Sequence, residues 1–593
     1  MALTGWIHHA RDLRDERPTV NAMAAALSPA PLRRDVIRLA RHAAFAHRGL
    51  DGGYADWRHP ERPDPDLAVA IDGRLTGRHH LEQHLYQRPR PLSGDAEVLL
   101  HAYRAWGAGL ADRIDGSYAI AIWDNKARHL LLIRDPLGAK TLFYTPVDGG
   151  LAFASRATAL LAHPDVAPVV DADGLNELLT LGPVRTPGRG VIRGVAEVLP
   201  GELVCATPAG LRHHRYWRLH ADEHREDLDT TVRVVRGALA ESTAALRARP
   251  AGAVLLSGGV ASAAAAVFTA GTSVHRPAAW TLTVAGPDSR PSGTGADVIE
   301  AARAAEHLRL RHTVLTVDAD ALIETAAATR TALDFPGDAG SDAALLVVLR
   351  RAAAAGATRV VTGDGADAVF GGYRWLRDPV TVATDDFPWH RHGLAVADLL
   401  NPYARLQLLP GGYRKQCYDD AAAGVPHLDG ADRLARRDRT MAYLTLTRYL
   451  PHLLTRLDQL ADAAGLTAHT PFADWLLAHY LFNMPIALRH LVGIPNGLLR
   501  HTVADLLPAD VAWLRPRPFP TANLLPAWRQ HQRERLQAIA ANRDAPLHPL
   551  LDLRRITDVL AQPQTTAEHI SPTTTTYLIE VNEWLASHHI TLS

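Results

Sequence analysis

The chain has 593 residues, enough for two or three cores. Its 63 basic and 63 acidic residues cancel, 47% of it is hydrophobic and 21% is charged. That is ordinary globular composition, with no basic arm or acidic tail to favour nucleic acid or an anionic membrane. Two cysteines, Cys205 and Cys417, form neither a disulfide framework nor a metal spacing. No apolar run reaches the roughly 18 residues of a membrane span. The opening MALTGWIHHARDLRDERP lacks the apolar core of a signal peptide, so a cytoplasmic protein is expected.

Residues 1–218 are predicted to be rich in strands. DLAVAIDGRL, GSYAIAIWDNKARHLLLIRDPLG, LFYTPVDGGLAFAS and GELVCATPAGLRHHRYW alternate or run apolar between Gly, Asp-Asn and Asp-Gly turns. A helix is expected around DAEVLLHAYRAWG. The charged stretch LHADEHREDLD, 219–229, reads as a linker. A second domain, 230–593, then changes period. A helix over 230–248 leads to the strand GAVLLSGG, an Ala-rich helix, the strand AAWTLTVAG, a helix near 295–308, the strand RHTVLTVD, more helix and the strand TRVVTGDGAD. Strands alternating with helices predict a parallel, doubly wound sheet. Beyond about 374 the pattern is mostly helical, and RLDQLADAAGLTAHTPFADWLLAHYLFNMP, 456–485, reads as a helix, a Gly break and buried core.

Two strand-end loops carry chemical promise. Ser257-Gly258-Gly259 lies between a strand and a helix. Glycines let the main chain approach a phosphate, and the helix N-terminus offers unpaired N–H groups and a positive dipole end; Ser257 and Ser262 add hydroxyls. A plain glycine turn has the same spelling. TGDGADAVFGGYRW, 362–375, also ends a strand, where ligands bind in open α/β sheets. Asp364 and Asp367 there are metal or base candidates, or simply turn acids capping a helix.

These stretches, in this order, resemble the asparagine synthetase family, which joins an N-terminal glutaminase to an ATP-pyrophosphatase synthetase domain. DGSYAIAIWDNKARHLLLIRDPLGAKTLFY resembles the glutaminase sheet core, LLSGGVAS the SGGxDS loop, TGDGADAVFGGY the SGxGxDExFGGY loop, and GLTAHTPFAD the GLExRxPFLD segment. The resemblance implies an αββα Ntn-hydrolase-like sandwich followed by a doubly wound parallel sheet with helical additions. It implies ATP and Mg2+ as cofactors. Ser257, Gly258, Gly259 and Ser262 would cradle the pyrophosphate, Leu282, Thr362 and Gly363 would hold the adenosine end, and Leu255 would be a further nucleotide-binding residue. Asp367 would hold the metal, and Asp364 would orient or deprotonate an amine.

The departures are as informative as the matches. Ala2 stands where the family has its nucleophilic cysteine, and a thiolate or its equal is needed to attack glutamine. The family's N-G motif is Asp72-Gly73, and its HRGPDG is His47–Gly52, HRGLDG; Asp95 is retained. The first domain is therefore expected to be scaffold. In the second, Ala261 replaces the loop's magnesium-binding Asp, Ala368 the Glu of the D-E pair, and Asn496 the lysine before LLR. The three lysines are Lys126, Lys140 and Lys415, so none follows that position, and an arginine such as Arg489, Arg500, Arg515 or Arg517 is the expected substitute cation, with Arg500 foremost. β-Lactam synthetases and lasso peptide cyclases resemble this family and lack the cysteine. The resemblance to the cyclases implies a macrolactam-forming ligase acting on a precursor peptide, with a leader-peptide-binding protein and a leader peptidase as partners. A non-catalytic paralogue acting as scaffold or regulator, or a β-lactam-synthetase-like enzyme, is the alternative.

Overall fold

A computed structural model describes residues 1–27, 34–49, 53–57, 66–85, 92, 94–244, 246, 252–271, 276–285, 295–390, 396–513, 525–561 and 572–593. The last three residues of HRGLDG lie outside these. The chain forms two units. The first comprises Met1–Gly174, Pro187–Arg218 and Leu592–Ser593, the second Leu175–Thr186 and Leu219–Thr591. The second unit thus includes a short segment from within the first 218 residues.

The first unit is built on two six-stranded antiparallel sheets. One runs in the order Ala196–Glu197, Phe143–Val147, Gly150–Ala154, Ala2–His8, Ala43–Gly49, Arg34–Leu39. The other runs Gly210–Arg215, Glu202–Thr207, His129–Arg134, Asp115–Asp124, Leu67–Thr76, Tyr54–Trp57. Alternation along the strands sorts side chains into two cores. Ala68, Ala70, Ala119, Ala121 and Trp123 join Leu3, Phe45 and Phe153 from the other sheet. Val69, Ile71, Ile120 and Ile122 turn the other way, onto Val98, Leu99 and Ala102 of the helix Asp95–Trp106. Strands covered on both faces read as nearly continuous apolar runs, which explains the sequence pattern.

The second unit holds a five-stranded sheet. Its strands are β1 (Gly252–Leu255), β2 (Ala278–Val284), β3 (Arg311–Val317), β4 (Arg359–Val361) and β5 (Thr467–His469). They lie in the order β3-β2-β1-β4-β5, all parallel. The order reverses between β1 and β4, and the crevice beyond the carboxyl ends at such a point is where open α/β sheets bind ligands. Both glycine loops leave the sheet there. The sequence pattern does not predict β5, since GLTAHTPFAD reads as core. Three residues are too few to show a period, and only pairing with β4, Arg359 to Thr467 and Val361 to His469, makes them a strand.

The helices that matter to the site are α1 (Val260–Ala270), α2 (Gly295–His307), α3 (Ala339–Ala354), α4 (Ala366–Val369), α5 (Leu450–Ala463), α6 (Trp475–Phe482) and α7 (Gly497–Val503). Leu345, Leu346 and Leu349 of α3 and Leu457 and Leu460 of α5 form one core with Val360 of β4. Among the described residues no helix is long and apolar enough to cross a membrane.

Helix α1 is enclosed, with Ala263, Ala264, Ala265 and Ala266 at most 1% exposed. Side chains this small let its neighbours close around it, and no larger residue fits without strain. Ala264→Leu is expected to lower unfolding free energy by about 1–3 kcal/mol, read by denaturant titration.

Candidate functional site

The loop after β1 is shaped by its two serines. The Ser257 N–H donates to Ser262 Oγ at 3.0 Å, and the Ser262 hydroxyl reaches the Gly259 carbonyl at 2.9 Å. The two hydroxyls are 3.0 Å apart. Ser262 is buried and Ser257 exposed, so Ser262 fixes the turn and Ser257 faces outward. Gly258 has φ +79°, and a Cβ there would meet the Asp297 carbonyl oxygen at 2.4 Å. The start of α2 therefore walls one side of the loop. Gly259 leads directly into α1 and its N-terminal N–H groups, the arrangement that suits a phosphate.

The loop after β4 closes on the first. A Cβ on Gly363 would lie 2.7 Å from the Ser262 nitrogen and 2.8 Å from the Ala261 carbonyl carbon. Only glycine permits that approach. The buried Thr362 is anchored through its N–H to the His469 carbonyl of β5 (3.0 Å), and its hydroxyl accepts from the Asp364 N–H at 3.3 Å. Thr470, just past β5, donates to the Asp364 carbonyl at 2.5 Å. The edge strand thus holds the loop that carries both acids.

Asp367 lies in the first turn of α4, and its carboxyl is pushed above the usual range, chiefly by burial. Its Oδ1 accepts from Asn496 Nδ2 at 2.6 Å. A Cβ on Gly372 would fall 1.9 Å from Asp367 Oδ1 and 2.4 Å from Asn496 Oδ1. The second glycine of FGGY is thus required by the acid–amide pair beneath it. Asn496 itself sits at φ +55°, a left-handed conformation that asparagine tolerates, as the cap before α7.

Other expected residues are placed differently. Arg500 is 2% exposed, its Nε donating to the Pro495 carbonyl (2.8 Å) and its Nη1 to the Ala512 carbonyl (2.7 Å). It braces the Asn496 turn with those donors, and its charge reaches Asp367 only through space. Leu255 and Leu282 are partly buried against the core of α3 and α5. Ala261 offers no ligand. Of three further acids in the second domain that the fold could bring to a metal, Asp288, Asp297 and Asp342, the first lies outside the described residues, as do Arg515 and Arg517. Asp342 is fully buried and ion-paired with Arg456, its carboxyl nonetheless raised to about 6 by burial. Asp297 is brought to the loop, but by its main chain. Neither the Asn496–Asp367 bond nor the anchoring by Thr470 is legible in the sequence, because both join positions more than 100 residues apart.

In the first unit, Ala2 is buried on the strand Ala2–His8. Next to it, the Leu3 N–H donates to Ser155 Oγ (3.0 Å), whose hydroxyl donates to Asp72 Oδ2 (2.7 Å). Lys140 Nζ pairs with Asp72 Oδ1 at 2.9 Å, and both residues are buried. Where the resemblance implies an Asn, this carboxylate is acceptor-only and gives a developing oxyanion no N–H. Asp95 accepts from the Leu75 N–H at 2.9 Å and faces Arg78 Nη1 at 3.5 Å.

The pyrophosphate-type loop, the acid loop beside it and the antiparallel sandwich together define an amidotransferase-type synthetase. Comparison with known proteins agrees. Residues 234–586 match the Asparagine synthase family and residues 23–217 the glutamine amidotransferase domain family. The chain is 28% identical over 577 residues to asparagine synthetase 3 (glutamine-hydrolysing) of Bacillus subtilis, covering 94% of this chain and 93% of that one. It is 26% identical to a putative asparagine synthetase of Mycobacterium tuberculosis (77% and 74% covered). It is 23% identical to the amidase chry2 of Gibberella zeae (72% and 73% covered). The chain belongs to the asparagine synthase family, a family of ATP-dependent, amide-forming ligases.

Breaking the buried Asp72–Lys140 pair from one side strands a charge. Lys140→Ala is expected to cost about 3–5 kcal/mol, and Asp72→Asn with Lys140→Met to recover most of it, read by thermal or denaturant unfolding. Gly372→Ala is expected to displace the Asp367–Asn496 pair and weaken Mg-ATP binding at least about tenfold by calorimetry, some 1.4 kcal/mol.

Proposed function

We propose that the protein joins a carboxylate to an amine at the expense of ATP, releasing pyrophosphate and AMP, and that its substrate is a precursor peptide carrying both groups. The observation that carries this reading is the meeting of the two strand-end loops, Gly363 against Ser262, at the N-terminus of α1. Ser257, Gly258, Gly259 and Ser262 would hold the pyrophosphate of ATP, with Thr362 and Gly363 on the nucleotide side. Asp364 is the group to orient or deprotonate the amine. Asp364 and Asp367 fit magnesium, which typically takes one or two carboxylates and keeps several waters, although Ala261 leaves the set one short of the family's motif. The metal would neutralise phosphate charge.

The first unit supports the choice of amine. With Ala2 at the nucleophile's place and Asp72 paired to Lys140, no ammonia is drawn from glutamine, so the amine belongs to the substrate. Closing a ring within one peptide, the lasso-cyclase reaction, meets that requirement. A leader-binding protein and a leader peptidase are the corresponding partners. A scaffold without turnover is the second reading. It is favoured by the 2.6 Å bond that Asn496 makes to the candidate metal ligand, because an amide there carries none of the charge of the lysine it replaces. Losing one charge-stabilising donor costs on the order of 3–4 kcal/mol of barrier.

Pyrophosphate release from Mg-ATP tests the proposal. The wild-type protein, Ala261→Asp and Asn496→Lys are assayed with and without precursor peptide and leader-binding partner. Peptide-dependent release by the wild type, raised in Ala261→Asp, is the expected outcome. Silence from all three folded proteins selects the scaffold. Because burial raises the Asp367 carboxyl, its protonated, non-ligating form persists to higher pH than in an exposed aspartate. As pH is lowered, magnesium-dependent nucleotide affinity is therefore expected to fall at a higher pH than an exposed aspartate ligand would give, measured by calorimetry at fixed magnesium.

A further inference from the structure

On a different part of the second unit, two histidines and an aspartate converge. His220 and Asp222 lie on the extended stretch before the helix Leu228–Ala244. His479 lies on α6, 257 residues beyond Asp222 in the chain. His220 Nε2 and His479 Nε2 are each 3.0 Å from the same atom, Asp222 Oδ2. One ligating atom from each residue lies within 4.8 Å of the others, and the two ring centroids are 4.0 Å apart with their planes tilted by 40°.

The surroundings hold this arrangement. Asn483, buried one turn beyond His479, bonds both segments. Its Oδ1 accepts from the Asp222 N–H at 2.8 Å, and its Nδ2 donates to the carbonyls of His220 (3.1 Å) and His479 (3.2 Å). Arg439, a neighbouring cation, is engaged by Asn483 Oδ1 at 2.9 Å and by the Phe482 ring at 4.9 Å. The backbones that carry the ligands are thus fixed by a group that is not itself a ligand, as in metal sites with ordered outer shells.

We propose that His220, Asp222 and His479 form a zinc-type site for a divalent first-row metal, with water completing the coordination. Two imidazoles and one carboxylate favour zinc over magnesium, which prefers oxygen donors. Zinc bonds of about 2.0–2.2 Å in a tetrahedron set ligand atoms roughly 3.3–3.5 Å apart. The 3.0 Å separations therefore need only a small opening. The site lies on neither glycine loop and uses neither Asp364 nor Asp367. Its effect is structural: it staples the 219–222 stretch to α6, whose chain runs back to Thr470, the residue that holds the Asp364 carbonyl.

The test is zinc binding to the full-length, chelator-stripped protein, titrated against a chromophoric zinc indicator, without nucleotide or magnesium. His479→Ala and Asp222→Asn are run beside it, with thermal unfolding to verify that each is folded. The chain's 31 histidines contribute weak sites that are common to all three proteins and cancel. The expected result is one more tight equivalent in the wild type than in His479→Ala, and affinity at least about tenfold lower in Asp222→Asn. Zinc is also expected to raise the melting temperature of the wild type alone, and cobalt to give a four-coordinate visible spectrum in the wild type alone. Equal stoichiometry and affinity in all three proteins, or a zinc effect on melting that survives both substitutions, would overturn the proposal.

Discussion

The contact on which the second unit's site depends is between main chains. The loop after β4 approaches the start of α1 so closely at Gly363 that a single methyl group has no room. That contact brings Thr362 and the segment bearing Asp364 and Asp367 beside the Ser257–Ser262 turn. Everything outside it serves to hold it. β5 anchors Thr362 and Thr470, the wall at Asp297 forces glycine at 258, and the alanines of α1 let the helix sit deep enough to present its N-terminus.

Set on this frame, the two halves of the chain have changed in the same manner. Each keeps the shape of a site and alters its charges. In the first unit a carboxylate, Asp72, is matched by Lys140 and Ser155. In the second an amide, Asn496, meets Asp367, while Ala261 leaves its place without a ligand. The substitution at Asp72 is satisfied internally by an ion pair and a hydrogen bond, and that at Asn496 by the bond from Nδ2 to Asp367, its Oδ1 having no hydrogen-bond partner among the described residues. Pairing is the behaviour expected of buried polar groups, whose cost is high when unpartnered. A fold can therefore stay intact while its chemistry is retuned.

The strand–helix alternation, both glycine loops and the acids on the second were legible in the sequence, since each is local and carries a period or a turn signal. Strands covered on both faces read as apolar runs, so the sandwich was legible as sheet. What escaped was set by distant partners. β5 is strand only because β4 lies beside it. Arg500, a candidate substitute for the missing lysine, has its donors taken up by the Pro495 and Ala512 carbonyls. Nothing in the spelling IPNGLLR announces that its asparagine would reach back 129 residues to Asp367.

The segment Leu175–Thr186 belongs to the second unit, although the chain returns to the first for Pro187–Arg218 before leaving it again. Within the second unit, Asn176 donates to the Leu408 carbonyl, Glu177 accepts from Tyr413, and the Arg185 guanidinium lies over the Phe335 ring. The polypeptide is therefore interlaced rather than concatenated. A synthetase half excised at residue 219 would lack a piece of its own interior, and a ribosome would have to complete the second unit before that early segment found its partners. A cut between the halves at that point would leave Leu175–Thr186 on the wrong fragment, whatever becomes of either active centre.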